Sequence, residues 1–186
     1  MRKLSITILI SFIFFSPNAV MSEIMGDLVE REGLYFKKFK DVPFTGKVYG
    51  KWQGSFKNGK RDGFWVGYWE NGQLLSKGNY NDARKEGGWV VYKENGQLEF
   101  KGMYKNGKNE GPWIRNHDNG RLDNTGDYKN GKREGAWVFY YENGQLWEAG
   151  NFKKDKREGP WVSYFDDGTI DKYITGNYKN GKKISN

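Results

Sequence analysis

The chain has 186 residues, 31 Lys and Arg against 23 Asp and Glu, 36% hydrophobic and 17% aromatic residues and no cysteine, with a mean hydropathy of −0.92. Rings take the place of aliphatic side chains, which argues against the compact aliphatic core of an enzyme and for a solvated architecture that buries area through aromatics. The lack of cysteine excludes a disulfide framework and a lipid-modified cysteine.

The first 22 residues, MRKLSITILISFIFFSPNAVMS, place Arg2 and Lys3 before an apolar run from Leu4 to Phe15, followed by the small residues Ala19 and Ser22. That is the layout of a secretory signal peptide, with cleavage expected after Ser22. As a helix the apolar run rises only about 18 Å against a hydrocarbon thickness of ~30 Å, so an uncleaved membrane tether is the alternative. No later segment is long and apolar enough to span a bilayer. Without Arg2 and Lys3, 29 basic residues stand against 23 acidic ones, a net charge of about +6. The protein is expected to be exported, as a periplasmic or secreted chain.

Residues 23–45 read as an N-terminal segment with a divergent opening hairpin, since LYFKKFKDVPFTGKVYG from Leu34 keeps only part of the pattern that follows. Residues 46–186 are a repeat. Trp65, Trp89, Trp113, Trp137 and Trp161 stand 24 residues apart, each within nearly the same sequence. From Gly126 the unit reads GDYKNGKREGAWVFYYENGQLWEAG; the copy from Gly150 is two residues longer and a half unit, GNYKNGKK, follows it. A period of this length marks units too small to bury an apolar face alone and stabilised by their neighbours.

Apolar residues alternate with period 2 between turns, and glycine recurs too often for helices. Asn71-Gly72 and its counterparts Asn95-Gly96, Asn119-Gly120, Asn143-Gly144 and Asp167-Gly168 predict type I′ hairpin turns. The KNGKRDG and KNGKREG connections predict wider loops at the other edge. The fold class is therefore all-β, an elongated single-sheet antiparallel meander of stacked hairpins. A two-residue turn at Asn71-Gly72 makes Glu70 and Gln73 the closing pair and sets Trp69 opposite Leu74, Trp65 opposite Gly78 and Gly63 opposite Tyr80. In the fourth unit Trp137 lies over Gly150 and Gly135 faces Phe152, so each ring fills the space above a glycine. On the other face Val66 meets Lys77, Val90 meets Lys101 and Tyr92 meets Glu99, a mixed and partly wet surface. The aromatic face can be covered by coiling, by a second copy of the chain or by a partner.

The NG turn, the glycine before the aromatic pair and the YKNGKREG connection resemble the MORN repeat (membrane occupation and recognition nexus) in its bacterial variant, over about Gly46 to Lys183. YwqK-type antitoxins are similar over most of their length. The resemblance implies a stacked-hairpin fold and a scaffold, a lipid-surface binder or an antitoxin. The chain departs from the pattern at Asn116, where other units have Tyr68, Tyr92, Tyr140 and Tyr164, so the central unit is expected to pack less well.

No group of side chains converges on a catalytic constellation. His117, the one histidine, fills a slot held elsewhere by Trp69, Lys93, Tyr141 and Phe165 and reads as structural. No phosphate-binding glycine motif or nucleophile elbow is present, and no metal or cofactor is expected. Charge is the more informative signal. One edge of the ribbon gathers the basic residues of the KNGKRDG-type connections, with Lys60, Arg61, Lys108, Lys132, Arg133, Lys156, Arg157 and Lys182 as the candidate binding residues. The other gathers Glu70, Glu94, Asp118, Glu142, Asp166 and Asp167. Strands lie ~4.8 Å apart, so basic clusters recur every ~10 Å and their fields overlap. Asp62, Glu86, Glu110, Glu134 and Glu158 partly neutralise this edge. It reads either as a set of solvated turns that keep a wide sheet soluble, or as an attraction to an anionic surface, lipid headgroup or envelope glycan, or to an acidic protein. Interrupting acids and export argue against nucleic acid. The expected function is non-enzymatic binding or scaffolding in the cell envelope, the alternative an antitoxin or immunity-type protein that occupies a toxin's surface.

Overall fold

The computed structural model describes residues 23–186; the expected signal peptide, residues 1–22, lies outside the described residues. The described chain opens with β1 (Glu23–Ile24), a 3₁₀ turn at Met25–Asp27, β2 (Leu28–Arg31) and β3 (Leu34–Lys37). The meander follows as β4 (Gly46–Tyr49), β5 (Trp52–Lys57), β6 (Lys60–Tyr68), β7 (Leu74–Asn81), β8 (Arg84–Tyr92), β9 (Leu98–Lys105) and β10 (Lys108–Asn116). It continues as β11 (Leu122–Lys129), β12 (Lys132–Tyr140), β13 (Leu146–Lys153), β14 (Lys156–Ser163), β15 (Gly176–Lys179) and β16 (Lys182–Ser185). β4 to β16 pair in sequence order, antiparallel throughout, and β1 adds to β4 in parallel.

The opening hairpin differs from expectation. It is β2–β3, a small separate sheet that begins before Leu34. It docks through Tyr35, whose N–H donates to the Gly59 carbonyl (2.8 Å) and whose carbonyl accepts from Phe44 (2.8 Å). Leu28, Phe44, Val48, Phe56 and Trp65 form a core beneath it. The first repeat thereby acquires the apolar cover that inner repeats obtain from their neighbours.

The two kinds of turn are the reverse of the sequence expectation. At Asn58-Gly59, Asn106-Gly107, Asn130-Gly131 and Asn180-Gly181 both residues have positive φ, 51–53° for Asn and 78–83° for Gly. These are the two-residue type I′ turns. At Asn71-Gly72 only Gly72 has positive φ (83°). The Gly72 N–H donates to the Trp69 carbonyl (3.0 Å) and the Trp69 N–H to the Gln73 carbonyl (2.8 Å), a type I turn ending in a left-handed glycine. The Asn71 side chain holds it there, accepting from the Gln73 N–H and donating to the Glu94 carbonyl of the next unit, both at 2.9 Å.

The expected closing pairs near this turn are accordingly replaced: Trp69 bonds to Gln73, Tyr68 pairs with Leu74 and Tyr92 with Leu98, not Glu99. One extra residue, Leu75, bulges out and restores the register. Behind it Val66 pairs with Lys77, Trp65 with Gly78 and Gly63 with Tyr80, as expected, and Trp137 pairs with Gly150 and Gly135 with Phe152.

The rings lean the other way. Each tryptophan of the 24-residue series has a glycine on both sides, and its indole covers the earlier one: Trp65 on Gly54, Trp89 on Gly78, Trp137 on Gly126 and Trp161 on Gly150. Trp137 therefore does not lie over Gly150. The lean is set by a hydrogen bond, because each indole N–H donates at 3.0–3.1 Å to a backbone carbonyl ten residues earlier: Ser55, Asn79, Asp127 and Asn151. These carbonyls lie where the ladder skips two residues. Lys77 pairs with Val90 but Asn79 with Glu86, leaving Gly87 and Gly88 over on β8.

The four indoles retain only 2–5% of their exposure, although one sheet supplies nearly all their contacts. Eleven rings in unbroken contact explain this, running Phe56, Trp65, Tyr80, Trp89, Tyr104, Trp113, Tyr128, Trp137, Phe152, Trp161 and Tyr178 with centroids 4.8–6.5 Å apart, every contact edge to face. Such pairs are worth about 0.5–1.5 kcal/mol each beyond the area they bury. Trp113 is the exception. It is only half-buried, presents a different edge to Gly102, and stacks on Phe100 at 5.0 Å and 15°. At Asn116, where looser packing is expected, the residue is half-buried and paired with Leu122 as its tyrosine counterparts are with theirs; the departure of the central unit lies at the Trp113 ring instead.

The last unit breaks pattern over the two added residues. In place of a regular strand, Asp171 turns inward and accepts the Tyr173 N–H (2.8 Å), while the Thr175 hydroxyl accepts the Ser163 N–H (2.9 Å) as a neighbouring strand would.

Candidate functional site

The stacking of units is written into both edges. On the type I′ edge each turn hangs from the unit before it. The Gly107 N–H donates to the Lys85 carbonyl (2.9 Å) and the Asn106 N–H to the Glu86 carboxylate (2.7 Å). The same carboxylate contact recurs from Glu110 to Asn130, Glu134 to Lys154 and Glu158 to Asn180, at 2.7–2.9 Å. These glutamates, which the sequence reads as neutralisers of the basic edge, hold backbone N–H groups.

On the opposite edge the residue in one slot donates to the next unit in four of its five copies, Phe165 having no donor to give. The Trp69 indole donates to the Tyr92 carbonyl (3.1 Å), the Lys93 ammonium to His117, His117 Nε2 to Tyr140 (2.8 Å) and the Tyr141 hydroxyl to Tyr164 (2.9 Å). His117 thus serves as a hydrogen-bond donor between repeats. The acidic rail is partly tied down as well: Lys51 pairs with Glu70 and Lys93 with Asp118, whose carboxyl lies below its ordinary pKa chiefly because Lys93 donates to it.

The basic candidates divide into two groups. Arg61, Arg133 and Arg157 are half-buried against the aromatic rings instead of projecting from the edge. Arg61 lies 5.1 Å from the Trp65 ring and 5.6 Å from those of Tyr35 and Tyr80. Arg133 lies 3.9 Å from Phe152 and bonds to Asp155 (3.2 Å), and Arg157 lies 4.5 Å from Trp161 while pairing with the buried Glu148. Lys85, not among the candidates, takes the same place 4.5 Å from Trp89, and burial pushes its pKa down. Asn109 fills this slot in the central unit, so the row of cations is broken over Trp113.

The second group projects outward. Lys108, Lys132, Lys156 and Lys182 are exposed, and half-buried Lys60 pairs with Asp82 (2.8 Å). In five type I′ turns lysine faces lysine at the closing pair: Lys57–Lys60, Lys105–Lys108, Lys129–Lys132, Lys153–Lys156 and Lys179–Lys182. Like charges directly opposed are destabilising.

The face opposite the tryptophans carries a feature that sequence reasoning missed. A groove of about 520 Å³ runs across β6 to β10, with Phe64, Met103, Pro112 and Ile114 in its walls, Gly88 and Val90 in its floor, and Lys77 and Lys101 at its flanks. The signal was present in the slots. Phe64 corresponds to Gly88, Pro112, Ala136 and Pro160, and Met103 to Asn79, Asp127, Asn151 and Asn177, so two large apolar side chains stand where other units carry small or polar ones.

Among solved structures, one chain of the crystal structure of the GtfA/B complex bound to UDP and GlcNAc is similar at 16% identity and a TM-score of 0.22. The match covers 79% of this chain and 28% of that one, and a likeness of that size carries no argument about fold or function. No curated protein matches. Three segments, residues 61–82, 85–106 and 133–154, match the MORN repeat variant, and the interval between the last two holds the divergent central unit with Asn109, Asn116 and His117. These three segments are MORN-variant repeats, and the meander carries the same hairpin pattern through the units between and beyond them, an arrangement that suggests a binding or scaffolding protein.

Proposed function

We propose that this is an exported, non-enzymatic binding protein of the cell envelope whose type I′ edge meets an anionic surface, a lipid headgroup layer or an envelope glycan. The observation that carries the reading is the set of lysine pairs closing five turns. A turn that needed only to be soluble would gain by mixing signs across the pair. Opposed lysines accept a cost in the free protein that an anionic partner relieves, and their recurrence every ~10 Å makes the attraction additive along the edge. Co-sedimentation with vesicles of anionic and of zwitterionic lipid, at low and moderate salt, tests it. Binding to the anionic vesicles that falls with salt and is abolished by Lys108→Glu, Lys132→Glu and Lys156→Glu together is the expected result; binding indifferent to these reversals refutes it.

The groove favours a second reading, in which the chain occupies the surface of another protein as an antitoxin or immunity protein does. A stoichiometric complex that survives the three reversals would replace the first reading with this one.

A further inference from the structure

Glycine recurs in the repeats for two reasons. From Gly46 to Gly181, every glycine but one either has positive φ or lies under an indole ring. Gly88 is the exception. Its φ is ordinary, and the only atom near a Cβ built on it is the Met103 sulfur, 4.0 Å away. Neither backbone nor packing asks for glycine there, and the equivalent slot of the preceding unit holds Phe64. What glycine does at this point is leave the floor of the groove open.

The residues around that opening have their own pattern. Val66, Lys77, Val90, Lys101 and Ile114 form one row across β6 to β10, in which Val90 pairs with Lys77 on one side and Lys101 on the other. The two lysines stand two strands apart, about 10 Å. Both are exposed, and among the described residues neither is in an ion pair. In the following units their slot holds Thr125, Ala149 and Thr175, so the cations accompany the groove and not the repeat. Phe64 and Met103, 57% and 45% exposed, stand as walls on either side of Gly88.

We propose that this groove is a docking site for an extended segment of a partner protein that inserts one large apolar side chain over Gly88 and Val90 and places a carboxylate on each side, against Lys77 and Lys101. The charge of the flanks selects the carboxylates. The depth left by Gly88 selects a ring or a long aliphatic side chain between them. Residues i, i+2 and i+4 of an extended chain share one face, so the order acidic, any, apolar, any, acidic presents all three groups together. The proposal rests on the reading of the chain as a binding protein and locates a second surface, independent of the lysine edge.

A fluorescein-labelled peptide of order Glu-Ser-Phe-Ser-Glu, titrated with the full chain and read by anisotropy, tests it against Lys-Ser-Phe-Ser-Lys. The acidic peptide is expected to bind saturably and at least about tenfold tighter than the basic one. Gly88→Phe, which copies the Phe64 slot and so keeps the fold and the melting temperature, should weaken it by about tenfold or more, as should Lys77→Glu with Lys101→Glu. Lys132→Glu with Lys156→Glu should leave it unchanged. Equal binding of both peptides, or undiminished binding to the Gly88→Phe variant, overturns the proposal, as does loss of vesicle binding in the groove variants, which would make the occupant a lipid. Should the groove variants be silent while the edge reversals abolish vesicle binding, this inference falls and the function proposed for the edge stands.

Discussion

The indole of Trp89 lies flat on the backbone of Gly78, so close that a Cβ added at Gly78 would come within 2.2 Å of the ring. The fold is therefore intolerant of the smallest side chain at this position. Gly78→Ala displaces a buried ring held by its own hydrogen bond and should cost about 2–3 kcal/mol in chemical denaturation. Gly88→Ala, where space is open and φ is ordinary, should be neutral or stabilise by about 0.4–1 kcal/mol through the unfolded chain. Equal losses at both positions would refute the account of why glycine recurs.

Ala83 gives a prediction of opposite sign. It is the second residue of a type I′ turn with φ 66°, where four of the other units place glycine. A left-handed alanine is strained by about 1 kcal/mol, so Ala83→Gly should raise stability by about that amount, against the usual effect of adding glycine to a sheet.

The break in the row of cations can be mended. Asn109→Arg sets a guanidinium among Tyr104, Trp113 and Tyr128 as Arg61 is set among Tyr35, Trp65 and Tyr80, and should stabilise by about 0.5–1 kcal/mol. Arg157→Ala acts in reverse and more strongly. It strands the Glu148 carboxylate, 6% exposed, without its partner, and should cost about 3 kcal/mol. The double variant with Glu148→Ala should recover part of that loss in a thermodynamic cycle.

Burial in the ring contacts raises the pKa values of the Tyr104 and Tyr128 phenols. The folded chain then holds these protons more tightly than the unfolded chain. The stability they confer is complete below the unfolded value of about 10 and is lost as pH rises through the raised folded values. Lys85, lowered by burial and then by Arg61, has the opposite sign, its contribution growing as pH climbs toward about 10.4. Melting temperature should fall above about pH 10, and the fall should be shallower in Tyr104→Phe with Tyr128→Phe.

The meander and the pairing of Trp65 with Gly78 were legible in the sequence, because each follows from parity and period. The turn types were not. Asn-Gly occurs in both connections, and what separates them is whether the asparagine side chain is engaged: Asn71 bonds to Gln73 and to the next unit, whereas Asn106 turns left-handed and gives its backbone N–H to Glu86. The register survived the wrong turn only because the Leu75 bulge returns the residue that the longer loop takes. The lean of the rings follows from carbonyls exposed by the two-residue skip at Gly87 and Gly88, which no spacing of tryptophans reveals. Arg61 and Arg157 read as edge charges by position, and it is the length of the arginine side chain that lets them fold back over the rings.

Every link between units, the glutamate to the turn, the slot donor to the next carbonyl and the indole to its glycine, reaches one neighbour and no farther. A 24-residue block such as 78–101 can then be duplicated or excised with each surviving junction intact. The protein is in this sense a ruler graduated in steps of ~10 Å, two strands per block, and tension on its ends should peel it one hairpin at a time.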